Sequence, residues 1–255
     1  MSPVATMNGR PSEIDGVITG IPEVPVTMMK PPPSEHFNKI KHPELPRANK
    51  AVSTEKPEGG NTASNRSVLQ QHVDFFDTDH DGLIYPIDTF KGFHKIGFNP
   101  LLSFFAIFVI HGTFSYPTQP TWVPDPLFSL NTANMHRTKH GGDSETYDTE
   151  GRYNPEKFEE IFSKFDSSGK GGLYWKDMWA MIKHYRNVWD PTGWTAMFLE
   201  WGALWLIAAD KEGFVSKETI RAQYDGSLWY RLAEREEETK HGRQQEREQR
   251  RAKAA

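Results

Sequence analysis

Asp77-Thr78-Asp79-His80-Asp81-Gly82-Leu83-Ile84-Tyr85-Pro86-Ile87-Asp88 sets three acids two residues apart, follows them with a glycine, and closes on a fourth acid. That spacing is what an EF-hand loop requires. Calcium takes six to eight hard oxygen ligands, supplied from positions 1, 3, 5, 7, 9 and 12 of twelve residues. Those positions hold Asp77, Asp79, Asp81, the Leu83 carbonyl, Tyr85 and Asp88. Gly82 stands at position 6, where the chain turns sharply, and Ile84 at position 8 is placed to pair with a neighbouring loop. The plainer alternative is an Asp-rich surface turn. Asp88 in place of Glu shortens the reach for bidentate ligation and leaves the site tolerant of magnesium. Tyr85 is expected to act through a water.

EF-hands usually pair, and a second copy is present. Phe165-Asp166-Ser167-Ser168-Gly169-Lys170-Gly171-Gly172-Leu173-Tyr174-Trp175-Lys176-Asp177 repeats the opening Phe-Asp, Gly at 6, an aliphatic residue at 8, Tyr at 9 and Asp at 12. Lys170 puts a cation at position 5, where a ligand oxygen belongs, so this copy is expected to keep the fold and bind no metal. A third stretch around Asp210-Lys211-Glu212-Gly213-Phe214-Val215 has Ala208 at position 1 and Thr219 at position 12, and reads as a turn between helices. Asn154-Pro155-Glu156 is a helix start, with an N-cap, a proline at the first helical position and an acid near the positive dipole end. Phe158, Ile161, Phe162 and Phe165 recur at helical spacing after it. The expected fold is mainly α, one functional EF-hand paired with a degenerate EF-hand-like unit, plus an apolar membrane-inserting segment.

That segment lies between Lys95 and Asp125, where there is no Asp, Glu, Lys or Arg. Its densest part is Leu101 to Ile110, and it continues through His111 to Tyr116. As one helix, Leu101 to Tyr116 would extend about 24 Å, against a bilayer core about 30 Å thick. Pro117, Pro120, Pro124 and Pro126 follow, with Trp122 among them, and oppose simple extension of the helix. Lys91 and Lys95 lie before the segment and Arg137 and Lys139 after it, which favours both ends on the cytosolic side. A hairpin-like or shallow insertion with Trp122 near the head groups fits best. A buried core helix and a full transmembrane span are the alternatives.

The chain divides into a flexible Pro-rich arm (1–65), an EF-hand unit (66–98), the apolar segment and proline cluster (99–126), a helical region with the degenerate copy (127–232) and a charged tail (233–255). The amino terminus has no apolar core after a basic start, so no signal peptide is expected. A net charge of −4 gives nucleic-acid binding no electrostatic support. There are no cysteines, which excludes disulfides and any thiolate ligand or nucleophile.

Among ten histidines, His72 sits on the apolar stripe of the helix entering the calcium loop, and His136 and His140 share a short polar run. A lone histidine on an apolar face is more often a hydrogen-bonded core residue than a ligand. The string Leu69-Gln70-Gln71-His72-Val73-Asp74-Phe75-Phe76-Asp77 with its single EF-hand, the run Pro117 to Pro126, and His136-Arg137-Thr138-Lys139-His140-Gly141 followed by Tyr147 to Arg152 together resemble caleosins. Leu199-Glu200-Trp201-Gly202 and Phe214 to Glu218 extend the likeness, which runs in family order from about Ser67 to Leu232. The long arm, the basic tail and Asp88 resemble a fungal rather than a seed member.

The resemblance implies a plant-seed-type peroxygenase: a calcium-binding haem b protein at the surface of lipid droplets and the endoplasmic reticulum. Such an enzyme moves one oxygen from a fatty acid hydroperoxide to an acceptor, epoxidising unsaturated fatty acids, hydroxylating aromatics or oxidising sulfides. His72 matches the family's axial haem ligand, and His140 a second histidine needed for activity. A chain without cysteine must hold iron through histidine, tyrosine or methionine, which suits His72. His140 is expected to move a proton on the distal side, with His136 as its substitute. Because His72 precedes Asp77 by little more than one helical turn, metal binding and haem retention are expected to be coupled. The competing reading is a non-enzymatic calcium-binding coat protein of the droplet surface. The sequence leaves a homo-oligomer open.

Overall fold

The computed structural model describes residues 66–254, and the fold there is mainly helical. The arm expected over residues 1–65 lies outside the described residues. Helix α1 (Val68–Asp74) opens on a reciprocal cap, in which Gln70 N donates to Ser67 Oγ at 3.2 Å and Ser67 N donates to Gln70 Oε1 at 2.8 Å. The acidic loop follows and contains strand β1 (Leu83–Ile84) before α2 (Pro86–Lys95). Asn99 caps α3 (Pro100–Thr118), and the chain then passes through the proline cluster to β2 (Leu130–Asn131) and a 3-10 helix, Thr132–Thr138.

The second half repeats this pattern. Asn154 caps α4 (Pro155–Phe165), accepting from Glu156 N and Lys157 N, as its sequence predicts. Then come β3 (Gly172–Tyr174), α5 (Trp175–Tyr185), α6 (Pro191–Ala208), β4 (Phe214–Ser216), α7 (Lys217–Tyr224) and α8 (Ser227–Ala254). The charged stretch beyond Glu234 continues α8 as an exposed helix.

The strand pairing corrects the expected partnership of loops. Strand β1 pairs antiparallel with β2, placing Ile84 opposite Leu130, and β3 pairs with β4, placing Leu173 opposite Val215. The acidic loop and its degenerate copy therefore do not share a sheet. The stretch around Asp210, expected to be a plain turn, supplies the partner of the degenerate loop instead. The physical reason is burial: Ile84, Leu130, Leu173 and Val215 are each nearly inaccessible. Each two-residue or three-residue strand joins whichever neighbour lets that side chain enter the core.

Helix α3 is inside out. Its buried residues are Ser103, Ala106, His111, Ser115 and Thr118, whereas Leu101, Leu102, Phe104, Phe105 and Phe108 are exposed. Hydrogen bonds fix the polar stripe: His111 Nδ1 donates to the Phe128 carbonyl at 2.7 Å, and Thr89 Oγ1 meets His111 Nε2 at 2.8 Å. The helix does not stop at Tyr116. Pro117 fits in its last turn, and 19 residues give a length of about 28 Å.

Candidate active site and acidic loop

A cavity of about 260 Å³ lies between α1, α3, α6 and the start of α8, with mostly apolar walls that include Phe76, Phe93, Met197 and Trp201. Two of the three sequence-predicted catalytic histidines line it, His72 and His140. His136 is not among its lining residues.

The His72 ring is fixed from the far end of the chain. Its Nδ1 lies 2.6 Å from the Gln223 carbonyl. A carbonyl only accepts, so Nδ1 carries the hydrogen and Nε2 keeps its lone pair. Trp229 packs edge-on at 5.3 Å between ring centroids, and its Nε1 donates to the His72 carbonyl at 3.0 Å. Gly226, in the turn between α7 and α8, presses on the same helix. It has φ +79°, and a Cβ there would lie 2.7 Å from the Gln71 carbonyl oxygen. Burial lowers the His72 pKa, opposed by the Gln223 carbonyl and the Glu200 carboxylate, so the ring is neutral near pH 7.

His140 is the electrostatic opposite. Glu200 raises its pKa against the effect of burial, and Asp143 and Asp190 add to the rise. The His140 Nε2 to Glu200 Oε2 distance is 3.8 Å, an ion pair rather than a full hydrogen bond. His140 Nδ1 is buried and has no hydrogen-bond partner among the described residues. The cavity thus holds one neutral imidazole with a free lone pair and one imidazole held toward its charged form. His136 has its pKa lowered by burial and by Arg137.

In the acidic loop, carboxylate oxygens of Asp77, Asp79 and Asp81 all lie within 4.8 Å of one another. Asp77 Oδ2 accepts from Gly82 N at 3.1 Å, while its buried Oδ1 has no partner among the described residues. Burial raises the Asp77 pKa, and the charges on Asp81 and Asp79 push it the same way. An unpartnered buried oxygen among like charges is the arrangement a divalent cation relieves. Leu83 N donates to Asp81 Oδ1 at 2.7 Å. Asp88 stands apart from the three-acid cluster, accepting from Tyr85 N at 3.1 Å at the start of α2.

The donor set suits haem as well: a histidine Nε2 lone pair, oriented through Nδ1 by a backbone carbonyl, in an apolar cavity. The cavity falls just below the usual range for small-molecule sites, about 300–1,000 Å³. A porphyrin would require the walls to spread, and Ile110, Phe114 and Ile207 are half-buried and line that space.

Sequence reasoning missed Glu200, Trp229 and the Gln223 carbonyl as site components. Glu200 carried a signal, as the sole charge in the 18 residues of α6. The Gln223 carbonyl carried none, because any residue has one.

Comparison with known proteins agrees with this site. The family model for caleosin-related proteins matches residues 64–233. A peroxygenase from Lilium longiflorum is 41% identical over 85% of this chain and 91% of its own length. A protein named probable peroxygenase 4 from Arabidopsis thaliana is 40% identical over 65% of the chain and 85% of its own. A third relative, also from Arabidopsis thaliana, is named a probable inactive peroxygenase-like protein and is 32% identical over 56% of the chain and 68% of its own. These relatives are plant proteins, so the expectation of a fungal member gains no support. No solved structure matches. The chain belongs to the caleosin family and is an oxidoreductase of the peroxygenase type.

Proposed function

We propose that this peroxygenase uses haem b held by His72, carries calcium in the loop 77–88, and acts on fatty acid hydroperoxides at a lipid-droplet or endoplasmic reticulum surface. The observation that carries the reading is the pairing of two differently tuned histidines on one apolar cavity. His72 offers Nε2 as a lone-pair donor, with its tautomer set by the Gln223 carbonyl. Bound there, the iron would supply the O–O cleavage and oxygen transfer that no side chain provides.

The chain's own residues supply orientation, proton handling and exclusion of water. His140, held by Glu200, is placed to exchange a proton with the hydroperoxide, and its orphaned Nδ1 is the atom left to meet it. One oxygen passes from the hydroperoxide to an unsaturated fatty acid, an aromatic or a sulfide, and the hydroperoxide leaves as the alcohol, so no external reductant is needed. Apolar walls favour an acyl chain over water. His136, absent from the lining, has no part in this reading.

In the acidic loop, Asp77, Asp79, Asp81 and the Leu83 carbonyl would hold calcium directly, with Tyr85 through water and Asp88 completing the set. The outward apolar face of α3 supports attachment to lipid. So does the knot formed by Pro117, Pro120, Pro124 and Pro126, which displays Trp122 at 91% exposure. Insertion is shallow or hairpin-like, with both ends on the cytosolic face.

The outward face of α3 would serve a coat protein equally well, which keeps that second reading in play. One variant separates them. His72→Val should abolish hydroperoxide-dependent oxygen transfer while droplet targeting persists. Undiminished transfer by that variant would overturn the enzymatic assignment of His72.

A further inference from the structure

Helices α5 and α6 carry an exposed aromatic surface that the cavity and the calcium loop leave unused. Trp179 on α5 packs edge-on against Phe198 on α6, with ring centroids 6.0 Å apart, yet both rings remain exposed. Trp194 Nε1 donates to the Asn187 carbonyl at 2.5 Å, drawing the α5–α6 loop against α6. That loop projects Trp189, which is 92% exposed. Exposed aromatics in this density mark an interaction surface rather than ordinary solvated surface.

The exposed charges of α5 and the loop after it that lack an ion pair among the described residues are all cations. Lys176, Trp179 and Lys183 are spaced i, i+3, i+7 and share one face of α5. Arg186 follows in the loop. None of Lys176, Lys183 and Arg186 takes part in an ion pair among the described residues. The acids of the same segment are committed elsewhere. Asp177 is buried and accepts from Ser167 and Tyr174, Asp190 caps α6 and accepts from Gly141 N, and Glu200 faces His140.

We propose that the α5–α6 face is a second lipid-contact surface, separate from α3, that docks on an anionic bilayer through Trp179, Trp189, Trp194 and their flanking cations. Tryptophan favours the head-group layer because its ring is apolar and its N–H is polar. Unpaired lysine and arginine beside it select anionic over neutral lipid. The face therefore does a different job from α3, whose exposed residues between Leu101 and Phe108 carry no charge. Neither haem nor calcium enters the argument.

The test is flotation of the full chain with vesicles of phosphatidylcholine alone or mixed with phosphatidylserine. The triple variant K176Q/K183Q/R186Q should lower partitioning onto the mixed vesicles by about a hundredfold, with little change on phosphatidylcholine. A Phe104→Ser, Phe105→Ser variant on α3 should weaken binding to both vesicles and keep the preference for anionic lipid. Trp189→Ser with Phe198→Ser should weaken binding to both. The proposal is overturned if the triple variant keeps the wild-type preference, or if the α3 variant is the one that loses it. It is also overturned if lipid-free protein forms a concentration-dependent dimer that Trp189→Ser abolishes, since the face would then belong to a second copy. The three charge substitutions are exposed, so the test stands even if the aromatic variant does not fold.

Discussion

Residues 77–88 and 166–177 share Asp at position 1, Gly at 6, an aliphatic residue at 8, Tyr at 9 and Asp at 12, but they satisfy those groups in opposite ways. In the second loop, Asp166 Oδ1 accepts from Ser168 N, Ser168 Oγ and Gly169 N, and Oδ2 accepts from Gly171 N at 2.8 Å. Ser167 Oγ donates to Asp177 Oδ1 at 2.7 Å. Every acid there is bonded within the protein. In the first loop, Asp77 keeps a buried oxygen without a partner among the described residues, beside two further carboxylates. The loop shape does not depend on the full set of acids: the turn and the strand survive in the second copy, where Ser168 and Lys170 replace two of them and internal hydrogen bonds satisfy Asp166 and Asp177.

The strand partners deepen the contrast. Thr132 N donates to the Gly82 carbonyl at 2.9 Å, so the first loop is tied to the chain leaving the proline knot. The second is tied to the α6–α7 connection through β4. Calcium in the first loop would therefore act on α1, with His72, and on the segment of α3 and the proline cluster together.

The strongest way to break this comparison is Asp77→Ala with Asp79→Ala. Calcium affinity by titration calorimetry should fall by about three orders of magnitude or more, because two charged ligands are lost. Haem retention and oxygen transfer should drop with it, although the Gln223 bond to His72 persists. Full haem occupancy with undiminished activity would refute the coupling. Next in size, Ser168→Asp with Lys170→Asp restores oxygen ligands at positions 3 and 5 of the second loop. Calcium stoichiometry should rise from one to two, and an unchanged value would place the obstacle in the hydrogen-bonded backbone rather than in Lys170.

A smaller effect is expected from Asp88→Glu. The longer side chain allows bidentate ligation, so calcium should bind about tenfold tighter and magnesium should compete less well in the same titration. The smallest concerns acid. Hydrogen bonds from Ser168, Gly171, Gly172 and Gly169 outweigh desolvation and hold the Asp166 pKa below its ordinary value. A carboxyl with a lower pKa folded than unfolded stabilises the fold above about pH 4 and loses that contribution as pH falls through the folded value. Asp166→Asn should therefore flatten the acid limb of stability measured by urea unfolding, leaving the slope above pH 5 unchanged.

The cluster of Asp77, Asp79 and Asp81, the degenerate copy, the Asn154 cap and the charge-free segment were all legible in the sequence, because each depends on neighbours within a few residues. The strand partners were not. Strands of two or three residues have no periodicity to read, and Leu130 meets Ile84 only after α3 folds back. The same holds at the cavity, where the family resemblance pointed to His72 but its orienting partner lies 151 residues away and is a backbone carbonyl. The inward polar stripe of α3 was also hidden. Ser103, His111 and Ser115 read as interruptions of an apolar run until the helix shows them facing the protein.

The account rests most heavily on His72 as an iron ligand, and an absorption spectrum tests that directly. Purified full-length protein reconstituted with hemin should show a Soret band that disappears in His72→Val while calcium binding is retained. A colourless wild-type protein, or an identical band in the variant, would contradict the assignment.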